Sequence, residues 1–218
     1  MMKRILLLLC CLPASALAMD DDMLFHYTRA ELAAGRALQP SAAVQSVLLD
    51  GWVGGDKDRL WWQADAQWQG GPAAHGLGAW YGHYVAPFWD AQAGVRSEGG
   101  TDYLSVGARG LAPYQYDSDI KLELGGGRWF AHGSFEQEVL LTNRFILRPS
   151  LALSLSASDI DNTVRRGIYR GEVGLQARYE FSRKVAPFLS LSRLFHPRSV
   201  PGGEPHATQW LAGVRLIF

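Results

Sequence analysis

The chain has 218 residues, with 21 Lys and Arg against 21 Asp and Glu, so its formal net charge is zero. Apolar residues make up 48% and charged ones 19%. That is too apolar for a disordered chain, and it lacks the basic excess of a nucleic-acid binder. The length fits one ordinary domain. The 24 Gly, 8 Trp and 8 Tyr suit a membrane β-barrel, whose strands alternate apolar and polar faces.

Lys3 and Arg4 precede an apolar run, Ile5 to Leu12, shorter than the about 20 residues a spanning helix needs. Pro13 ends the run, and Ala16-Leu17-Ala18 has the small-x-small form of a signal-peptidase site. Residues 1–18 therefore read as a signal peptide cleaved before Met19. Cys10 and Cys11 would leave with it, which excludes disulfides and thiolate metal sites from the mature chain. Residues 19–218 read as one domain without a linker.

No mature segment has 18 consecutive apolar residues, so a spanning helix is not expected. Period-two alternation recurs instead and divides the chain into about twelve strands: 23–33, 43–54, 58–69, 75–86, 87–98, 101–111, 116–125, 128–141, 144–156, 166–181, 184–195 and 206–218. Ten strands, or eight with a plug, also accommodate the pattern. The clearest strand is the last, where Trp210, Ala212, Val214, Leu216 and Phe218 alternate with Leu211, Gly213, Arg215 and Ile217. Trp62 and Trp68, near the two ends of their strand, fit interfacial aromatic girdles. Connections are expected to alternate between tight turns and longer loops at 34–42, 157–165 and 196–205. Short turns belong on the periplasmic side of an even-stranded barrel, which places both termini there.

Residues opposite the apolar faces would line the lumen. They include Arg59, Arg96, Arg109, Lys121, Arg148, Arg178 and Arg215, with Asp65, Asp90, Glu123, Glu136 and Glu138. Unpaired charge in a narrow lumen is costly, so cross-strand ion pairs are expected. Mixed signs argue against a strong ion filter, and a wide open pore is not expected at this strand number. The mature chain also offers Met19, Met23, His26, His75, His83, His132, His196 and His206 as borderline and soft donors. Thioether and imidazole together suit copper. Met19, Met23 and His26 lie close in sequence beside Asp20-Asp21-Asp22, and His83 is expected on the polar side of its strand, with Tyr81. A nucleophile elbow of the G-x-S-x-G kind and a zinc-hydrolase pair are both missing, so enzymatic activity is not expected.

The wording of several segments is more specific. Gly51-Trp52-Val53-Gly54-Gly55-Asp56, Ala86-Pro87-Phe88-Trp89-Asp90-Ala91-Gln92-Ala93-Gly94-Val95-Arg96, Gly110-Leu111-Ala112-Pro113-Tyr114 and Leu140-Leu141-Thr142-Asn143-Arg144-Phe145 occur in order. With the closing Gly213-Val214-Arg215-Leu216-Ile217-Phe218 they resemble the copper resistance protein B family, over about residues 19–218. The resemblance implies an outer-membrane β-barrel in copper resistance, with copper bound or passed across the membrane. It also implies outer-membrane lipid, the barrel-insertion machinery and a periplasmic copper-binding protein or oxidase as partners. Family members often carry a Met- and His-rich segment ahead of the barrel, whereas here the expected signal peptide runs almost directly into Met19-Asp20-Asp21-Asp22. On this expectation Met19, Met23 and His26 would capture copper at the periplasmic mouth. Luminal Tyr81, His83, Asp90, Arg96, Arg59 and Asp65 would hold or pass it. The alternative is a closed barrel that serves as a docking platform for a periplasmic copper protein.

Overall fold

The computed structural model describes residues 24–38, 41–159, 166–196 and 206–218. The expected signal peptide and its cleavage site lie outside them. The strands are β1 (Phe25–Leu38), β2 (Ser41–Gly54), β3 (Asp58–Trp68), β4 (Ala74–Ala86), β5 (Trp89–Glu98), β6 (Thr101–Ala112) and β7 (Tyr116–Gly125). They continue with β8 (Arg128–Gln137), β9 (Val139–Leu140), β10 (Phe145–Ser156), β11 (Gly167–Tyr179), β12 (Val185–Phe195) and β13 (His206–Ile217). Both β8 and β9 pair with β10, and only Glu138 separates them, so they act as one stave. Twelve staves follow one another in chain order, each antiparallel to the next. The pairing of β1 with β13, from Arg29 opposite Ile217 to Ala37 opposite Gln209, closes the ring.

Closure leaves no free sheet edge among the described strands, which an apolar surrounding requires. At the seam, Phe218 exchanges hydrogen bonds with Thr28: Phe218 N–H donates to Thr28 O at 3.0 Å, and Thr28 N–H donates to Phe218 O at 3.2 Å. Leu24 and Phe218 thus share one end of the barrel, called here the terminal end.

The connections depart from the expected alternation. The loop expected at 34–42 is replaced by strand: β1 runs to Leu38 and β2 begins at Ser41, with Ala37 opposite Ala42. The Ala- and Gly-rich stretch from Ala33 to Ala37 has low strand propensity by itself. Ladder pairing on both sides, to β2 and to β13, overrides it. Tight connections also occur at the far end. Gly99-Gly100 and Gly126-Gly127 have positive φ at both residues, as two-residue hairpin turns of right-handed twist require. Ten-residue connections follow only β10 and β12.

Burial is inverted relative to a water-soluble core. Leu77, Val95, Leu104, Leu122 and Leu189 are each more than half exposed, whereas Glu31, Asp90, Glu123, Arg178 and Arg215 are buried. Apolar side chains form the outer surface, as a barrel in lipid needs. Trp68, Trp129 and Trp210 are exposed toward the far end, and Tyr179, Phe181 and Phe218 toward the terminal end, matching two interfacial girdles.

Inside, large aromatics lie flat on the wall. Trp80 covers Gly78, where a Cβ atom would fall 2.1 Å from the ring, and the edge of the same ring lies 2.8 Å from where a Cβ on Gly94 would sit. Tyr103 covers Gly125 and Phe188 covers Gly213 in the same way. Glycine at these sites lets a ring rest against backbone, so its bulk does not fill the axis.

Candidate functional site

The lumen contains a series of adjoining cavities. The largest, about 890 Å³, opens at the terminal end, between Lys57, Pro87 and Phe88 of the turns and Trp52, Trp61 and Arg109 of the wall. A second, of about 220 Å³, shares Arg29, Asp50, Arg109 and Asp117 with it. A third, of about 310 Å³, shares Gln63, Asp119 and Ser134 with the second and continues past His132 and Glu172 toward the far end.

Several charges along these cavities are paired. Arg29 Nε donates to Asp50 Oδ1 at 2.7 Å, and Arg59 Nη1 lies 3.1 Å from Asp90 Oδ2. Lys121 Nζ is 2.6 Å from Asp119 Oδ2, and Arg109 is 3.8 Å from the same oxygen. Several of these cations also sit over aromatic faces. Arg59 is 5.0 Å from the Trp52 ring centre, Arg109 4.4 Å from Trp61 and Lys121 4.2 Å from Trp80. Such stacking holds a cation without a second carboxylate.

On the opposite wall Glu31 of β1 is the hub. Arg215 Nη2 lies 2.7 Å from Glu31 Oε1, Arg148 Nη2 3.9 Å, and Gln176 Nε2 donates to Oε2 at 3.4 Å. Arg148 also reaches Glu136 at 3.3 Å, and Arg178 reaches Glu138 at 2.8 Å. These links tie β1 to β10, β11 and β13 across the interior.

The residues expected from sequence fall into three places. Arg59 and Asp90 line the terminal cavity, Arg96 lines the third, and Asp65 follows the inward parity of Arg59 and Gln63 and packs against Gly76. Tyr81 and His83 do not face the lumen. Both are exposed on the outer face of β4, where the Tyr81 hydroxyl donates to Asp58 and His83 Nδ1 is 2.7 Å from Asp58 Oδ1. The reason is the composition of β4: its inward positions are Gly76, Gly78, Trp80 and Gly82. Glycine gives no polarity signal, so pattern alone assigns the polar residues at the other parity to the inner face. His26 is exposed at the terminal end of β1, opposite Val53 of the outer face. Met19 and Met23 lie outside the described residues. The sequence places Met19, Met23 and His26 together, and of these only His26 can be located.

Several luminal groups escape the pattern reading: Arg29, Asp50, Asp117 and Asp119 along the cavities, and with them Glu31 and His132. Glu31 lies in a strand whose alternation is blurred by alanines. His132 shares the parity of Glu136, two turns of the pleat away, and could have been placed by that alone. Its Nδ1 is 2.9 Å from Ser154 Oγ, and its Nε2 is 3.2 Å from Glu123 Oε2. Among the described residues, no group of three or more His, Cys, Asp and Glu is gathered as a metal site.

A model of the family described as copper resistance protein B precursor matches residues 39–218. The chain belongs to this family. It is 35% identical to "Copper resistance protein B" of Escherichia coli, over 78% of this chain and 62% of that protein. It is 29% identical to "Copper resistance protein B homolog" of Pseudomonas syringae pv. tomato, over 66% of this chain and 51% of the relative. The chain thus spans less than two thirds of either relative's length. Among solved structures, a NanC porin matches with TM-score 0.59 at 11% identity, covering 88% of this chain and 99% of the porin. A KdgM porin matches with TM-score 0.56 at 9% identity, covering 87% and 99%. At such identity the likeness concerns the fold alone. Copper resistance protein B membership and the closed barrel place the chain in the outer membrane, in contact with its lipid, and support a role in copper resistance.

Proposed function

We propose that the barrel passes copper through its lumen, between the exterior and the periplasm, without a catalytic step. The observation that carries this reading is the run of three cavities that share charged lining residues from the terminal end toward the far end. Donors occur along it singly or in pairs, and conduction requires sites weak enough to release their cargo. Met19, Met23 and His26 would gather copper at the terminal, periplasmic mouth, where a periplasmic copper-binding protein or oxidase would exchange it.

One observation favours a second reading. Arg148 and Arg215 clasp Glu31 from different staves, which would lock the lumen and leave the barrel as a docking platform for that periplasmic protein.

The two readings separate in liposomes. Mature protein folded into liposomes that enclose a copper-sensitive dye should speed copper entry over protein-free liposomes, and speed zinc entry less. The combined Met23→Ala and His26→Ala change should slow copper entry severalfold. A folded, inserted barrel that leaves entry at the protein-free rate would overturn the conduit and favour the platform.

A further inference from the structure

All four methionines, at 1, 2, 19 and 23, and both cysteines, at 10 and 11, precede Leu24. The barrel from Leu24 to Phe218 therefore contains no sulfur. Cu(I) selects soft thioether and thiolate ligands, whereas imidazole and carboxylate suit borderline divalent ions. Whatever copper the wall itself holds must be held by nitrogen and oxygen.

One place in the lumen presents both. His132 and Glu123 converge on a single cationic nitrogen, Nη2 of Arg96, which lies 2.9 Å from Glu123 Oε2 and 3.4 Å from His132 Nε2. Arg96 Nε also donates to Glu123 Oε2, at 3.1 Å. His132 Nε2 is also 3.2 Å from Glu123 Oε2, so a proton on Nε2 would be donated there. The tautomer that can bind an ion carries its proton on Nδ1 instead, donated to Ser154 Oγ at 2.9 Å, with the Nε2 lone pair toward Arg96 Nη2. This is the arrangement by which metal-binding imidazoles are oriented, with the remote ring N–H tied to an oxygen. Glu123 is 1% exposed, so its charge needs a cation beside it at all times. Arg96 supplies that cation and has a second anchor, because its Nη1 is 2.8 Å from Glu98 Oε2. It can give up Glu123 while staying paired. The pair borders the third cavity, so a passing ion can reach it.

We propose that His132 and Glu123 form a transit site for Cu(II), and that Arg96 is a stand-in cation which the ion displaces toward Glu98. The assignment rests on the conduit reading and gives that reading its oxidation state and its luminal ligands. Cu(II) takes the lone pair of His132 Nε2 and an oxygen of Glu123, with water completing its shell. No electron is transferred, and no proton is lost from the wall.

The test is a titration of the folded mature chain with Cu(II) sulfate, followed by electron paramagnetic resonance. The wild type should give a signal with imidazole-nitrogen splitting that His132→Gln removes. Glu123→Gln should weaken the same site at least about tenfold. Arg96→Gln should tighten it by about tenfold, since the competing positive charge is gone, whereas Arg96→Lys, which keeps the charge, should not. Ser154→Ala is the mild variant, with both ligands retained, and should weaken binding a few-fold through loss of imidazole orientation. Folding of each variant is read from heat-modifiable migration. The proposal is overturned if His132→Gln leaves the spectrum and affinity unchanged, or if Arg96→Gln folds and binds no tighter. Dye-loaded liposomes keep the two readings apart. A His132-dependent Cu(II) signal without copper entry sinks the conduit alone, and copper entry without that signal sinks the site alone.

Discussion

Glu31 sits between Arg215 and Arg148, with Gln176 on its other oxygen. Removing one partner of a buried ion pair leaves the other charge stranded, at a cost of about 3–5 kcal/mol. Glu31→Ala is therefore expected to lower the urea midpoint for folding into lipid vesicles by an amount of that order. An unchanged midpoint would mean that water already solvates Arg215 and Arg148. The same change removes the clasp across the interior, so copper entry through any barrel that still folds should rise. Glu31 was not legible from pattern, because alanines flank it at both parities and blur the alternation. Arg59 and Asp65 of β3, Asp90 and Arg96 of β5, and Lys121 and Glu123 of β7 were legible, because each alternates with apolar neighbours.

The turns at the two ends are built from different residues. At the far end Gly99, Gly100, Gly126 and Gly127 carry the positive φ that tight hairpins need. At the terminal end the same demand falls on Phe88, Tyr114 and Gln115, where a side chain makes that conformation cost about 1–3 kcal/mol. Tyr114 is 85% exposed, so little packing holds it. Tyr114→Gly should raise the urea midpoint, by about 1 kcal/mol in stability. A lowered midpoint would show that the ring gains more from its surroundings than the backbone loses. Strand number and most strand bounds could be read from alternation, since aliphatic side chains on the lipid face are unambiguous. The inward face of β4 could not, because glycine under Trp80 and Trp61 carries no polarity, and so Tyr81 and His83 were given the wrong side.

Closure depends on backbones that approach closely at the seam. A Cβ atom on Gly35 would lie 1.9 Å from the carbonyl oxygen of Trp210, so β1 and β13 cannot keep their register with a side chain there. Gly35→Val should abolish heat-modifiable migration, the mark of a closed barrel, whereas Ala34→Val, at the neighbouring outward position, should preserve it. Equal migration of both would mean that the seam tolerates spreading. The order of staves and the position of the terminal strand were already written in the sequence, down to the aromatic residue at its end. The linkage of the walls was not, because it joins residues such as Glu31 and Arg148 across strands far apart in the chain. The confinement of sulfur to the first 23 residues bears on durability as well as on ligand choice. Copper with peroxide converts methionine to its sulfoxide and thiols to higher oxides, and either change inside a tight wall would disrupt packing. A barrel whose staves hold neither residue offers that chemistry no sulfur to attack, and so can stand in the metal it meets without being aged by it.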